Sequence, residues 1–291
     1  MERKQTEAKI KKVEPSNHSL IVNYHNDLAD LSLQSLSARE QNALMYLLAA
    51  LKDKKEIGDF STEIVVPISE IKKQAGIKSK DKRQIEKQLK QMNKKLMGIQ
   101  GDFHPDPDKP LTSIQFVLFP TFTTSLEDDT LSVMVNPRFE YLINYLTGNY
   151  TKFELEEFVG LTSKYSKLCY RQIKRYRDTG RWIVTIDDFK RHLGIGDSYS
   201  DNKELTRRVL KPVEKELSEC IEGLKIETVK DKTQKGHPIT SIKFTFKPDK
   251  SRGKRFSREQ LPKDAVIIES TCEEVSQKEF GYTADCHDDE W

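Results

Sequence analysis

Ile68-Ser69-Glu70-Ile71-Lys72-Lys73-Gln74-Ala75-Gly76-Ile77 recurs 118 residues later as Ile186-Asp187-Asp188-Phe189-Lys190-Arg191-His192-Leu193-Gly194-Ile195. Ile, Lys, Gly and Ile hold matching places, and Lys73 becomes Arg191. Downstream, Thr112-Ser113-Ile114-Gln115-Phe116 matches Thr240-Ser241-Ile242-Lys243-Phe244 at an offset of 128, so the second copy gains 10 residues between the two matches. Two matches in the same order, with a helical segment between them in both copies, read as a duplicated module.

Around the repeated motif, each copy carries the same series of elements. In the first, Ser37-Ala38-Arg39-Glu40 has the form of a capping box and opens a helix with Leu44, Leu47, Leu48 and Leu51 among its apolar positions. Ile64-Val65-Val66-Pro67 reads as a strand, and Ser69 as the cap of a short helix that Gly76 stops. After the polar turn Lys78-Ser79-Lys80, a long helix is predicted from about Asp81 to Met97. Its Ile85, Leu89, Met92 and Leu96 share one arc at ~100° per residue, with Arg83, Lys87, Lys90 and Lys94 opposite. Residues 98–103 and 113–119 then read as a hairpin whose tip is the Pro-rich run His104 to Pro110.

In the second copy the pattern predicts a helix from about Ser163 to Asp178, a strand over residues 182–186 and a short helix from Asp187 to Leu193, stopped by Gly194. A long helix follows from about Asn202 to Cys220, with Leu205, Val209, Val213 and Leu217 inward and Arg207, Arg208, Lys211 and Lys215 outward. Pro212 is expected to kink or split it, since it removes a ladder bond at a cost of ~3 kcal/mol. A hairpin follows over residues 224–229 and 241–246, with Lys232 to Pro238 at its tip.

Helix, strand, helix, turn, helix, hairpin is the order of a winged helix. The expected fold class is α+β: two tandem winged-helix domains related by internal duplication, with flexible termini. The boundaries read from the chain are a flexible N-terminus over 1–17, a first winged helix over 18–148, a second over 149–248, and a flexible charged tail over 249–291. Low hydrophobicity and high charge disfavour a packed core in both tails.

The net charge of +3 conceals an asymmetry. Residues 69–97 hold ten Lys or Arg against three acidic residues, and residues 163–216 hold fourteen against eight. Residues 263–291 hold two Lys against nine acidic residues. Basic blocks of this size attract polyanions. A helix-turn-helix lays its second helix in the DNA major groove, and each long helix has the required apolar and basic arcs. The turns add Lys78, Ser79 and Lys80 in one copy and Tyr199, Ser200 and Asn202 in the other, while Lys235 lies at the second hairpin tip. Arg reads guanine bidentately and Asn pairs with adenine, whereas Lys mostly grips phosphate. The adjacent Arg207 and Arg208 therefore assign sequence reading to the second copy, and the Lys-rich first copy is assigned backbone grip or protein contact.

Several function classes are excluded. No apolar run approaches the ~20 residues that span a bilayer, and the N-terminal Met1-Glu2-Arg3-Lys4 lacks the apolar core of a secretory signal. Cys169, Cys220, Cys272 and Cys286 form no CxxC pair, so a cytoplasmic protein with reduced thiols is expected. Gly253-Lys254 is followed by Arg255, with Pro248 where a phosphate-binding loop needs Gly. The six histidines are dispersed, so no His-x-His nicking site exists. Cys286-His287 beside Asp288 and Asp289 is insufficient for a metal site. No enzymatic activity, cofactor or metal is expected.

The motifs resemble the Rep_3 superfamily of plasmid replication initiators. The resemblance rests on residues 161–170 (Leu-Thr-Ser-Lys-Tyr-Ser-Lys-Leu-Cys-Tyr), residues 189–195 (Phe-Lys-Arg-His-Leu-Gly-Ile), Arg207-Arg208-Val209-Leu210-Lys211-Pro212 and Thr240-Ser241-Ile242-Lys243-Phe244. Residues 35–44 look like that family's first helix, and the resemblance covers roughly residues 18–248. It implies monomers that bind repeated origin sites (iterons) in double-stranded DNA with both winged helices, open an adjacent A·T-rich segment, and recruit the host replication initiator and helicase. It also implies dimers, formed through the first winged helix, that repress initiation or the protein's own gene. DNA contact is carried over to Arg207, Arg208 and Lys211, with Tyr199, Ser200, Asn202 and Lys203 as further candidates, and to Lys80, Lys82, Arg83 and Lys87 in the first domain. The competing readings are a winged-helix transcription regulator without a replication role, and a scaffold whose basic faces bind acidic proteins.

Overall fold

The computed structural model describes residues 20–56, 63–103, 111–137, 142, 150–196, 202–231, 233 and 239–249. The expected N-terminal tail, 1–17, lies wholly outside them, and so does the expected C-terminal tail, 249–291, apart from Asp249.

The first module is built on α2 (Ala38–Glu56), which follows strand β1 (Ile21–His25) and the short α1 (Asp27–Asp30). The capping box forms as read. Ser37 N donates to Glu40 Oε2 at 2.7 Å, and Glu40 N donates to Ser37 Oγ at 3.3 Å. Every residue from Ala43 to Leu51 is buried, so this stretch of α2 is enclosed on all sides and lies inside the core. β2 (Glu63–Pro67) leads directly into α3 (Ile68–Gln74). Pro67, in extended conformation, is the N-cap residue, and Ser69 sits in the first turn instead of capping it. Gly76 stops the helix with φ +63°. α4 (Lys82–Met97) starts at Asp81, whose side chain accepts from Arg83 N at 2.9 Å.

The strands that follow correct the sequence reading. β3 (Gln100–Phe103) and β4 (Ile114–Val117) form the expected hairpin, its tip lying outside the described residues. Among the described residues that hairpin pairs with no other strand, and it is not the wing of this module. The three-stranded sheet has the order β2-β6-β5, where β5 is Thr121–Ser125 and β6 is Thr130–Met134. The second module repeats this arrangement as β8-β10-β9, from β8 (Arg181–Thr185), β9 (Lys225–Lys230) and β10 (Ile239–Thr245). Leu131 pairs with Val66 and Val133 with Ile64, while Ile242 pairs with Val184 and Phe244 with Trp182. Because Val66 and Ile64 correspond to Val184 and Trp182 at offset 118, Ile242 takes the place of Leu131, at an offset of 111. The match of residues 112–116 to 240–244 is therefore not a structural equivalence. The first module carries an inserted hairpin, and the second is the shorter copy over this interval.

The helix of the repeated motif keeps its register. α3 starts at Ile68 and α7 (Ile186–Leu193) at Ile186, and Gly76 and Gly194 adopt φ of +63° and +64°. Thr185 caps α7 by accepting from Asp188 N at 3.1 Å.

Strand β1 pairs antiparallel with β7 (Tyr150–Glu154), so this ladder straddles the boundary read at 148/149. α5 (Leu155–Gly160) and α6 (Lys164–Arg175) complete the junction. Tyr24, Phe153, Phe158 and Tyr170 form an aromatic cluster there, with centroids 5.2–6.0 Å apart. Arg171 is fully buried, donating from Nη2 to the Leu28 carbonyl at 2.7 Å and from Nε to Tyr24 Oη at 3.2 Å. Gln172 Nε2 donates to the Ala29 carbonyl at 3.3 Å.

Candidate nucleic-acid interface

On α4 the inward positions Ile85, Leu89, Met92, Asn93 and Leu96 are buried. Lys82, Arg83, Lys87, Lys90 and Lys94 are all exposed. Arg83, Lys87, Lys90, Gln91 and Lys94 line a shallow groove along this face, with Glu86 as its acid. Glu86 pairs with Lys90 at 2.6 Å, so one cation of the row is already engaged. A helix with four or five outward ammonium and guanidinium groups one to three turns apart matches a row of phosphates.

The second long helix is continuous but not uniformly α-helical. α8 (Asn202–Leu205) passes into a π-helical turn (Thr206–Leu210) and then into α9 (Lys211–Leu217), with Pro212 in the first turn of α9. Leu205, Leu210 and Lys211 all keep right-handed helical dihedrals, so the chain stays helical through Pro212, and the regular α-helical ladder is interrupted by the π-helical turn just ahead of it. The wide turn ahead of the proline is where its missing N–H and its ring are accommodated. The inward residues explain the same turn. Leu205, Val209, Val213 and Leu217 are all buried at a strict spacing of four, which drifts by about 40° per step on a 3.6-residue helix. Underwinding over residues 206–210 brings them back into line.

Arg207 and Arg208 lie in this turn, their side chains 66% and 59% exposed. Both bind one carboxylate. Glu204 accepts from Arg207 Nε at 3.2 Å and Nη2 at 2.9 Å, and from Arg208 Nε at 2.5 Å. The hydrogen bond from Arg207, and then the charge of both guanidiniums, hold the Glu204 carboxyl below the usual carboxylate range.

The helix is anchored at its far end by two further carboxylates. Glu214 accepts from Ile226 N at 2.8 Å, tying it to the wing strand β9. Glu216 accepts from Thr162 N at 2.5 Å, Thr162 Oγ1 at 2.7 Å and Ser163 N at 3.4 Å, tying it to the start of α6. Burial of Glu216 would raise its pKa, but the Ser166 hydroxyl and then the Thr162 and Ser163 groups outweigh it, and the carboxyl lies below the usual range. Beneath it, Lys167 is fully buried, with Nζ bonded to the Phe158 carbonyl and 4.3 Å from the Phe158 ring centroid. Burial lowers its pKa to about 7, against the opposing pull of Glu216. Lys167 and Arg171 thus belong to the core, and the charge of block 163–216 available to a polyanion is smaller than the sequence count.

The wings differ in sign. The described turn of the first, between β5 and β6, carries Glu127, Asp128 and Asp129, with Asp128 bonded to Ser125 Oγ at 2.6 Å. Such a tip is repelled by phosphate. The second wing, β9 and β10, carries Lys225, Lys230 and Lys243 on its strands, and its tip with Lys235 lies outside the described residues.

The family model described as "Initiator Replication protein, WH1" matches residues 21–174, and that described as "Initiator Rep protein, WH2" matches residues 185–246. The chain belongs to the initiator replication (Rep) protein family. The initiator is 34% identical over 228 residues to "Probable replication protein rep" of Bifidobacterium longum (strain NCC 2705), covering 78% of this chain and 72% of that one. Its fold is shared with the Pi initiator protein, solved in complex with iteron DNA, at a TM-score of 0.60 and 21% identity over 81% of this chain and 100% of that one.

Of the residues singled out from the sequence, Lys80, Lys82, Arg83 and Lys87 are exposed at the turn and first half of α4 of the initiator. Lys203, Arg207, Arg208 and Lys211 are exposed on the second long helix, and Asn202 opens it. Tyr199, Ser200 and Lys235 lie outside the described residues. The sequence reading missed Glu204, whose spacing of three and four from the two arginines was the available signal. It also missed the acidic wing, for which the alternation of Leu131, Val133 and Val135 marked the strand. Among the described residues no cluster of three His, Cys, Asp or Glu could hold a metal, and no helix is long and apolar enough to cross a membrane. The Cys286-His287 segment lies outside those residues.

Proposed function

We propose that this initiator binds repeated origin sites in plasmid DNA through both winged helices, opens the neighbouring duplex and recruits the host initiator and helicase, and that its dimer represses its own gene. The observation that carries the proposal is the pair of long helices, each with a buried apolar arc and an exposed basic arc, in the same place in two copies of one module. The Pi initiator's complex with iteron DNA supports the same class of target. In this reading Arg207, Arg208 and Lys211 contact base edges and phosphates in one groove. Lys80, Lys82, Arg83 and Lys87 hold the backbone in another, and Tyr199, Ser200, Asn202, Lys203 and Lys235 complete the second site.

The test is a footprint of the full-length protein on its own replicon, with Arg207→Ala/Arg208→Ala beside it. The wild type should protect a run of direct repeats and support replication of a plasmid carrying them. The double variant should lose site discrimination, each bidentate contact being worth ~1–3 kcal/mol. Protection of a single promoter site without replication would establish a transcription regulator instead. A double variant that keeps the footprint would show that the second long helix is not the reader.

A further inference from the structure

Glu204 is an acid where the proposed reading needs cations. It lies one turn before Arg207 and Arg208, and it is itself partly exposed, 38% by side chain. Exposed ion pairs of this kind add little to folding, so stability does not account for it. Its geometry is specific. Arg207 and Arg208 stand three and four residues after Glu204, the two spacings that bring side chains over one another on a helix, and together their guanidiniums engage both oxygens of the one carboxylate. On α4, by contrast, Glu86 pairs with a single cation among the described residues, Lys90.

We infer that Glu204 is a specificity-determining residue of this surface: it positions Arg207 and Arg208 as one unit and imposes a repulsion on every complex with unmatched DNA. This rests on the second long helix being the reader. The three side chains carry a net charge of +1 where the arginines alone would carry +2. Any duplex that receives the arginines receives the carboxylate too, within a groove flanked by phosphates. On an unmatched sequence the arginines must leave Glu204 to reach phosphate, and the freed carboxylate is repelled. On the matched sequence the guanidiniums keep part of their bonds to Glu204 while their remaining N–H groups meet guanine acceptors. The carboxylate then accepts from an amino group of a neighbouring cytosine. The lowered pKa of Glu204 keeps it charged throughout the neutral range.

The experiment compares wild-type protein, Glu204→Gln and Arg207→Ala/Arg208→Ala, all full length. Two duplexes are used: one selected by the wild type from a randomised pool, and a scrambled duplex of equal length. Gln keeps the size and removes the charge, and a thermal melt checks folding. Glu204→Gln should tighten binding to the scrambled duplex on the order of fivefold, the scale of one unit charge near phosphate in water. The slope of its log affinity against log salt should steepen by about 0.9. Binding to the selected duplex should stay level or weaken, so the discrimination ratio falls about fivefold or more. Equal tightening on both duplexes, or an unchanged or increased ratio, overturns the inference. The arginine variant separates the two failures. If it loses discrimination while Glu204→Gln keeps the wild-type ratio, only the role of Glu204 is wrong. If it retains discrimination, the reading of the helix falls as well.

Discussion

Replacing Lys82, Arg83, Lys87 and Lys94 together by alanine tests the division of labour between the two long helices. All four are exposed on α4, and Lys90 is left in place because Glu86 already holds it at 2.6 Å. Alanine is the best helix former, and the buried arc is untouched, so the fold should survive. If all four side chains neutralise phosphates, the slope of log affinity against log salt should become shallower by about 3 to 4, at ~0.9 per phosphate. Raising salt from ~50 to ~200 mM should then cost the variant about a hundredfold less affinity than it costs the wild type. Phosphate contacts carry no sequence information, so the loss at low salt should be parallel on a selected and a scrambled duplex. Fluorescence anisotropy over a salt series on both duplexes reads each quantity. An unchanged slope would remove α4 from the interface. A loss confined to the selected duplex would make α4 a reader of bases and refute the assignment of backbone grip.

Lys167→Met should show the cost of the buried ammonium. The unfolded chain holds that proton up to its ordinary lysine pKa, but the folded chain releases it above about 7. Wild-type stability attributable to this group therefore rises with pH above about 7, by about 1.4 kcal/mol per unit until the unfolded pKa is reached. The variant lacks this rise, so its advantage over wild type in urea melts should shrink steadily from pH 7 to 9; a pH-independent difference would show that Lys167 is charged throughout. His192 follows the same rule at lower pH. Burial and Arg171 lower its pKa to about 4, so stability tied to it is complete above the ordinary histidine pKa and is lost as pH falls toward 4, a loss that His192→Gln should abolish in melts at pH 4 to 7. Gly180→Ala should destabilise by about 1–3 kcal/mol. Its φ is +67° and a Cβ would stand 2.7 Å from the Phe246 carbonyl oxygen, whereas Gly196→Ala, at φ +43° with nothing within 4 Å, should lower the melting temperature less.

Those features follow the parts of the fold that local sequence could and could not convey. The capping box, the Asp81 cap and the Gly76 and Gly194 stops are interactions within a few residues, and each forms where its residues stand. The partner of β2 is decided more than sixty residues away, by which strand can bring Leu131 and Val133 against the core. Five residues of likeness between 112–116 and 240–244 cannot weigh that. The alternation of Leu131, Val133 and Val135, all buried, was the better signal. The π-helical turn was legible in the strict fourfold spacing from Leu205 to Leu217, which a straight α-helix cannot keep on one face. Glu204 escaped notice because a search for DNA contacts looks for cations. Lys167 and Arg171 escaped because a charge count assumes a surface, while α6 lies between the two modules.

The position of α6 bears on how the two long helices could act together. Helices that enter successive major grooves must be held about one helical turn of DNA apart, with little play. The second long helix is fixed at its far end by Glu216 to Thr162 and Ser163, which open α6. One face of α6 is in turn fixed to the first module through Arg171 to the Leu28 carbonyl and Gln172 to the Ala29 carbonyl. Both links are hydrogen bonds to main-chain groups or to a helix start, which constrain angle as well as distance. Apolar packing alone would hold the modules together but would let them slide. A polar chain of this kind restrains the angle between them, which a repeated site of fixed spacing would demand under the proposed docking of one helix in each groove.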